Sequence, residues 1–133
     1  MDLGDLGRLL LRLAVGGLMA MHGYAKLHRG VAGIADQFVA RGLPGALANA
    51  VYLGEVLGPA LVILGIASRV GGALIAATMV VAVWLMHSGD LGHLGRSGGW
   101  ALELQALYFV GGVCIVLLGS GRYGLTRGRG SWD

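Results

Sequence analysis

The sequence predicts an all-α membrane protein: a bundle of four transmembrane helices, with a short interfacial helix between the first and the second. Three observations point there. Of the 133 residues, 56% are hydrophobic and only 13% charged, whereas a soluble domain carries about a quarter charged. Mean hydropathy is +0.73. Finally, the apolar residues gather in four runs close to the ~20 residues a helix needs to cross a bilayer core. None of the runs alternates as a membrane β-strand does, so helices are predicted.

The first run covers about residues 6–27. The second covers 46–67, the third 70–87 and the fourth 100–118. Only Ser68 and Arg69 separate the second from the third, which predicts a tight helical hairpin. No linker or internal repeat divides the chain, so residues 1–133 read as one membrane domain. Between the first two runs, Val31, Ile34, Ala35, Phe38 and Val39 recur at helical spacing with Arg29, Asp36, Gln37 and Arg41 beside them. That pattern predicts a short amphipathic helix at the membrane surface, ended by Gly42, Pro44 and Gly45.

The chain holds 26 glycines and 2 prolines. The glycines lie inside the apolar runs, which suits helices packed closely in lipid. Ala50, Gly54 and Gly58 form a small-residue stripe on the second run, and Gly72 and Ala76 do the same on the third. Pro59 removes a backbone donor one turn after Glu55 and predicts a kink there. The single cysteine, Cys114, excludes a disulfide framework within the chain. Asp2 and Asp5 stand where a secretory leader carries positive charge, so no cleaved leader is expected.

The net charge is +3 and the pI about 9.5, but the basic residues are scattered between apolar runs. They read as topology signals and not as a nucleic-acid face. Arg8, Arg12, Arg69, Arg122, Arg127 and Arg129 fall on the side of the termini, against Lys26, Arg29, Arg41 and Arg96 on the other. Six against four places the termini in the cytoplasm, with the protein in the inner (plasma) membrane. The tail "GRYGLTRGRGSWD" adds attraction to anionic lipid on that side.

Ionisable residues inside a membrane usually face protein, water or a ligand. Here they are His22, Lys26, Glu55, His87 and Glu103. With alternating helix direction, all five fall in the half of the membrane away from the termini. Glu55 is nine residues into its run, roughly 13 Å deep at 1.5 Å per residue. His22 and Lys26 are four apart and share a helix face. Each has a plain alternative. Lys26 suits an interface anchor, His22 a donor to a backbone carbonyl, and His87 and Glu103 helix-end groups. Glu55 differs: a carboxylate near the midplane favours function over an internal ion-pair network holding the bundle, and Lys26 or His22 is its expected partner. Trp84 shares a face with His87, and Tyr108 is among the aromatic residues available for a wall.

Four stretches, taken in order, complete a pattern: "RLLLRLAVGGLMAMHGYAKL", "GLPG", "YLGEVLGPALVILGIASRVGGALIAATMVVAVWLMH" and "GGWALELQALYFVGGVCIVLLGSGRYGL". Together they resemble the DoxX family of small four-span membrane proteins over nearly the whole chain. The HGxxK end of the first helix, the Glu of the second, the SR hairpin, the His ending the third, the Glu opening the fourth and the GxGRYG tail carry the resemblance. Some relatives form the membrane part of a thiosulfate:quinone oxidoreductase, others join oxidative-stress complexes with soluble redox partners, and many have no assigned activity.

The resemblance implies a membrane subunit of an oxidoreductase system that handles a quinone without holding it tightly. Glu55, His22 and His87 are the candidate catalytic residues, and Lys26, Glu103 and Trp84 the candidate substrate-binding ones. Motifs for haem attachment, iron–sulfur ligation and nucleotide binding are lacking, so electrons are expected from other membrane or peripheral redox subunits. A homo-oligomer is the alternative partner. Three other readings compete. One is a non-catalytic assembly or scaffold subunit of a larger membrane complex. Another is a metal site, disfavoured because none of the ligand types has close spacing, and no metal is assigned. The last is a small-solute or proton transporter, for which four spans are few.

Overall fold

A computed structural model describes residues 2–133. Among these residues all regular structure is helical. Helix α1 runs Leu3–Arg29. It opens where Asp2 accepts a hydrogen bond from the Gly4 N–H at 2.8 Å and closes on Gly30, whose φ of 76° turns the chain away. The helix exceeds the apolar run at both ends because each end is polar, with Asp5 in the first turn and Lys26, His28 and Arg29 in the last.

Helix α2, Ala32–Ala40, forms where the amphipathic pattern predicts one. Its apolar side lies on the protein itself: Ile34, Ala35 and Phe38 pack with Ala48 and Leu85.

The second apolar run is less regular than a single helix. A 3-10 stretch, Gly45–Ala50, leads into a π-helical turn, Leu53–Leu57, and then α3, Gly58–Leu64. The π turn closes with the Gly58 N–H on the Leu53 carbonyl. Pro59 supplies no donor to the turn that holds Glu55. A widened turn therefore stands where the sequence predicts a kink, and π turns of this kind recur at functional sites.

The hairpin also differs from its predicted position. Helix α3 ends at Leu64, the chain turns through Gly65 (φ 68°) and Ala67 (φ 47°), and Ser68 and Arg69 already belong to α4, Ser68–Met86. Helix α5 spans Glu103–Leu118. Its start falls three residues later than the apolar run because Trp100 is held in the preceding loop, bridged to Leu94 and donating its indole N–H to the Leu91 carbonyl at 3.0 Å.

Helix α1 packs on α3 and α5, and α4 packs on the same two, around Met19, Val62, Ile75, Met79, Tyr108 and Ile115. Helices α4 and α5 approach closely at Gly72 and Gly112, where a Cβ on either residue would lie within 2.7 Å of the other's carbonyl oxygen. Two stretches, Gly45–Leu64 and Ser68–Met86, are long and apolar enough to cross a membrane, and α5 is a shorter apolar helix.

The first turn of α1 and the C-terminal tail meet at one end of the molecule. Arg12 is 1% exposed there and donates to three carbonyls: Val62 at 2.8 Å, Ile63 at 2.9 Å and Ser120 at 2.8 Å. Arg69 donates to the carbonyls of Asp133 at 2.8 Å and Val116 at 2.7 Å. Arg12 therefore serves carbonyls in the last turn of α3 and just past α5, and Arg69 one in the last turn of α5 together with the final residue of the tail, where a packed interior leaves helix-end carbonyls short of donors. A charge count treats both as topology signals; the structure gives them this internal role as well.

Candidate functional site

Glu55 and Lys26 are brought together. The Lys26 Nζ stands 2.6 Å from the Glu55 Oε2, with the carboxylate nearly buried and the ammonium partly exposed. Three features position the pair. Lys26 is in the last turn of α1, Glu55 is on the π turn, and Gly23 lets the two segments touch. The Gly23 Cα faces the Glu55 carbonyl so closely that any side chain at position 23 would collide with it. Tyr52, on the same segment, donates its hydroxyl to the Lys26 carbonyl at 3.3 Å. A buried carboxylate is costly unless paired and hydrogen-bonded, and the ammonium meets that need.

The pair opens onto an apolar cleft of about 390 Å³, whose walls include Ile34, Phe38, Ala50, Leu74, Ala77 and Thr78 as well as Lys26 and Glu55. This is within the range of sites that enclose small molecules, and a few polar groups in an apolar wall is their usual chemistry. On its other side Lys26 borders a second hollow of about 560 Å³, shared with His22, Arg29 and Gln37. Lys26 thus lines both hollows.

His22 is one step removed. Its Nδ1 donates to the Leu18 carbonyl at 3.0 Å, and its ring meets Tyr108 edge-on, with centroids 5.7 Å apart. Tyr108 is buried in the core. The sequence signals Tyr108 only as one aromatic among several, because nothing local distinguishes a ring that packs in the core from one that meets a candidate residue.

The other candidates lie apart. His87 contacts the Asp90 carboxylate at 3.1 Å, just beyond the end of α4. Glu103 is exposed at the start of α5, its carboxylate folded against Gly99. Trp84 is about half exposed (49%) and stacks under Arg41, whose guanidinium carbon is 5.2 Å from the ring centre. It faces a different hollow, shared with Trp100, Gln105 and Phe109. The shared membrane half expected for the five ionisable residues does not bring them into one chamber, because α4 and α5 deliver His87 and Glu103 to the rim. Among the described residues no three of His, Cys, Asp and Glu gather closely enough to hold a metal ion. The cleft walls from Phe38, Ala48 and Thr78 have no signal in the sequence beyond the α2 periodicity.

Comparison with known proteins agrees with the pattern of the sequence. A model of the DoxX family matches residues 7–88. The chain is 35% identical over 79 residues to the Bacillus subtilis (strain 168) protein named "Putative oxidoreductase CatD". That match covers 59% of this chain and 58% of the relative, so the chain spans little more than half the length of the protein it resembles. No solved structure matches. With the family model covering more than half of the sequence, this chain belongs to the DoxX family, whose members are membrane-associated.

Proposed function

We propose that this chain is a membrane subunit of an oxidoreductase system, with the Lys26–Glu55 pair forming the head of a quinone site. In this reading α1, the Gly45–Leu64 segment, α4 and α5 cross the plasma membrane four times, α2 lies at the interface, and the termini are cytoplasmic. The similarity to a protein named as an oxidoreductase supports the redox assignment. The single observation that carries the site is the ion pair in the wall of an otherwise apolar cleft.

The residues fit a quinone. The aliphatic walls suit a flat ring and its tail, and the Lys26 ammonium is a donor for a ring carbonyl. A bound quinone supplies an acceptor for two electrons and two protons. The Glu55 Oε2 passes a proton to or from the ring oxygen, and Lys26 also lines the hollow shared with His22. Phe38 of α2 keeps water from the cleft. Electrons come from a redox partner subunit.

The test is Glu55→Gln, assayed in membranes that carry the protein's redox partners. The expected result is loss of quinone-dependent turnover in a protein that remains folded by circular dichroism and gel filtration. Turnover at the wild-type level in a folded variant removes the assignment.

A scaffold subunit is the second reading, favoured by one observation: the same ion pair and the Gly23 contact fasten α1 to the π turn. It expects Glu55→Gln to release the chain from a larger membrane assembly while turnover per assembled complex is unchanged.

A further inference from the structure

We infer that the arginine-lined hollow at the end of the molecule where the tail meets the first turn of α1 binds the phosphate of an anionic lipid headgroup. Arg122, Arg127 and Arg129, with Tyr123, line a hollow of about 570 Å³. Their arrangement is built into the tail. The Arg127 N–H bonds the Gly124 carbonyl at 2.9 Å and the Arg129 N–H bonds the Thr126 carbonyl at 3.1 Å, so two successive turns carry the side chains round. The tail is fastened to the helices beneath it. The Thr126 hydroxyl donates to the Gly65 carbonyl at 2.7 Å, the Leu125 N–H to the Leu64 carbonyl at 3.0 Å and the Arg122 N–H to the Asp5 carboxylate at 3.3 Å. Arg127 itself takes a φ of 55°, a region non-glycine residues seldom adopt.

Three guanidinium groups around one hollow repel one another. Among the described residues none has a carboxylate partner: the side-chain ion pairs are Arg8–Asp5, Lys26–Glu55 and His87–Asp90. The Asp133 carboxylate is held by the N–H groups of Ala67 and Gly130. Arginine binds phosphate through paired N–H donors, so a phosphate answers both the charge and the donor geometry. The surroundings point to a lipid as its source. Leu125 and Trp132 are 69% exposed and Tyr123 46% exposed at the same end. Apolar and aromatic side chains beside arginines mark the headgroup level of a bilayer. This inference rests on the chain crossing a membrane, and is independent of the quinone assignment.

The test measures lipid binding to the full chain in a neutral detergent, by native mass spectrometry, with phosphatidylglycerol and phosphatidylcholine compared. Wild-type protein is expected to prefer phosphatidylglycerol. The double substitution Arg127→Gln with Arg129→Gln is expected to weaken that binding about fivefold per arginine, leaving phosphatidylcholine unchanged, and lysine at both positions is expected to keep only part of the preference, because the charge remains and the paired donors do not. Arg122→Gln alone serves if the double variant does not fold. Equal binding of the two lipids by the wild type, or full preference in a folded glutamine variant, overturns the inference. Inorganic phosphate displacing phosphatidylglycerol at equal concentration also overturns it, in favour of a free-phosphate site.

Discussion

The Arg12 Nη1 lies 2.8 Å from the carbonyl oxygen of Ser120, 108 positions away in the chain. The same guanidinium reaches Val62 and Ile63, so one side chain closes the C-terminal end of α3 and the chain just past α5. Arg12→Gln leaves two or more of these carbonyls without a donor in a dry interior. The expected loss is about 3 kcal/mol of stability, read as a lower melting temperature in detergent. Arg12→Lys recovers only part of it, because an ammonium lacks the planar fork that reaches all three carbonyls.

Gly23 is the contact on which the site geometry depends. Gly23→Val drives a branched side chain into the Glu55 carbonyl and pushes α1 off the π turn. The expected cost is about 2–3 kcal/mol, with the Lys26–Glu55 pair separated. Gly17, on the same helix, has nothing within 4 Å of where its Cβ would sit. Gly17→Ala is therefore expected to raise stability by about 0.5 kcal/mol or more, since alanine is the better helix former. Thermal unfolding of the two variants side by side checks the contrast.

His87 and Glu103 stand apart from the cleft, and variants there separate a local site from a distributed one. His87→Ala and Glu103→Gln are expected to keep quinone-dependent turnover within about twofold of wild type, because a general acid or base must reach the reacting group directly or through one water. A large loss at either position, in folded protein, would mean that the working site lies nearer the ends of α4 and α5.

The sequence by itself determined that the chain is helical and apolar, that a short helix follows α1, and that Glu55 would need Lys26 or His22 beside it. These follow from composition, a period of 3.6 and the cost of a buried charge, all of which are written locally. Only the tertiary structure decided that Pro59 produces a π turn and not a simple kink, that Arg12 and Arg69 cap helix ends, and that His87 and Glu103 stay at the rim. Each of those depends on which side chains meet across distant parts of the chain. A backbone donor lost at one proline, or a carbonyl left bare at one helix end, is satisfied by whatever the packing brings near, and residue spacing along the chain carries no record of that.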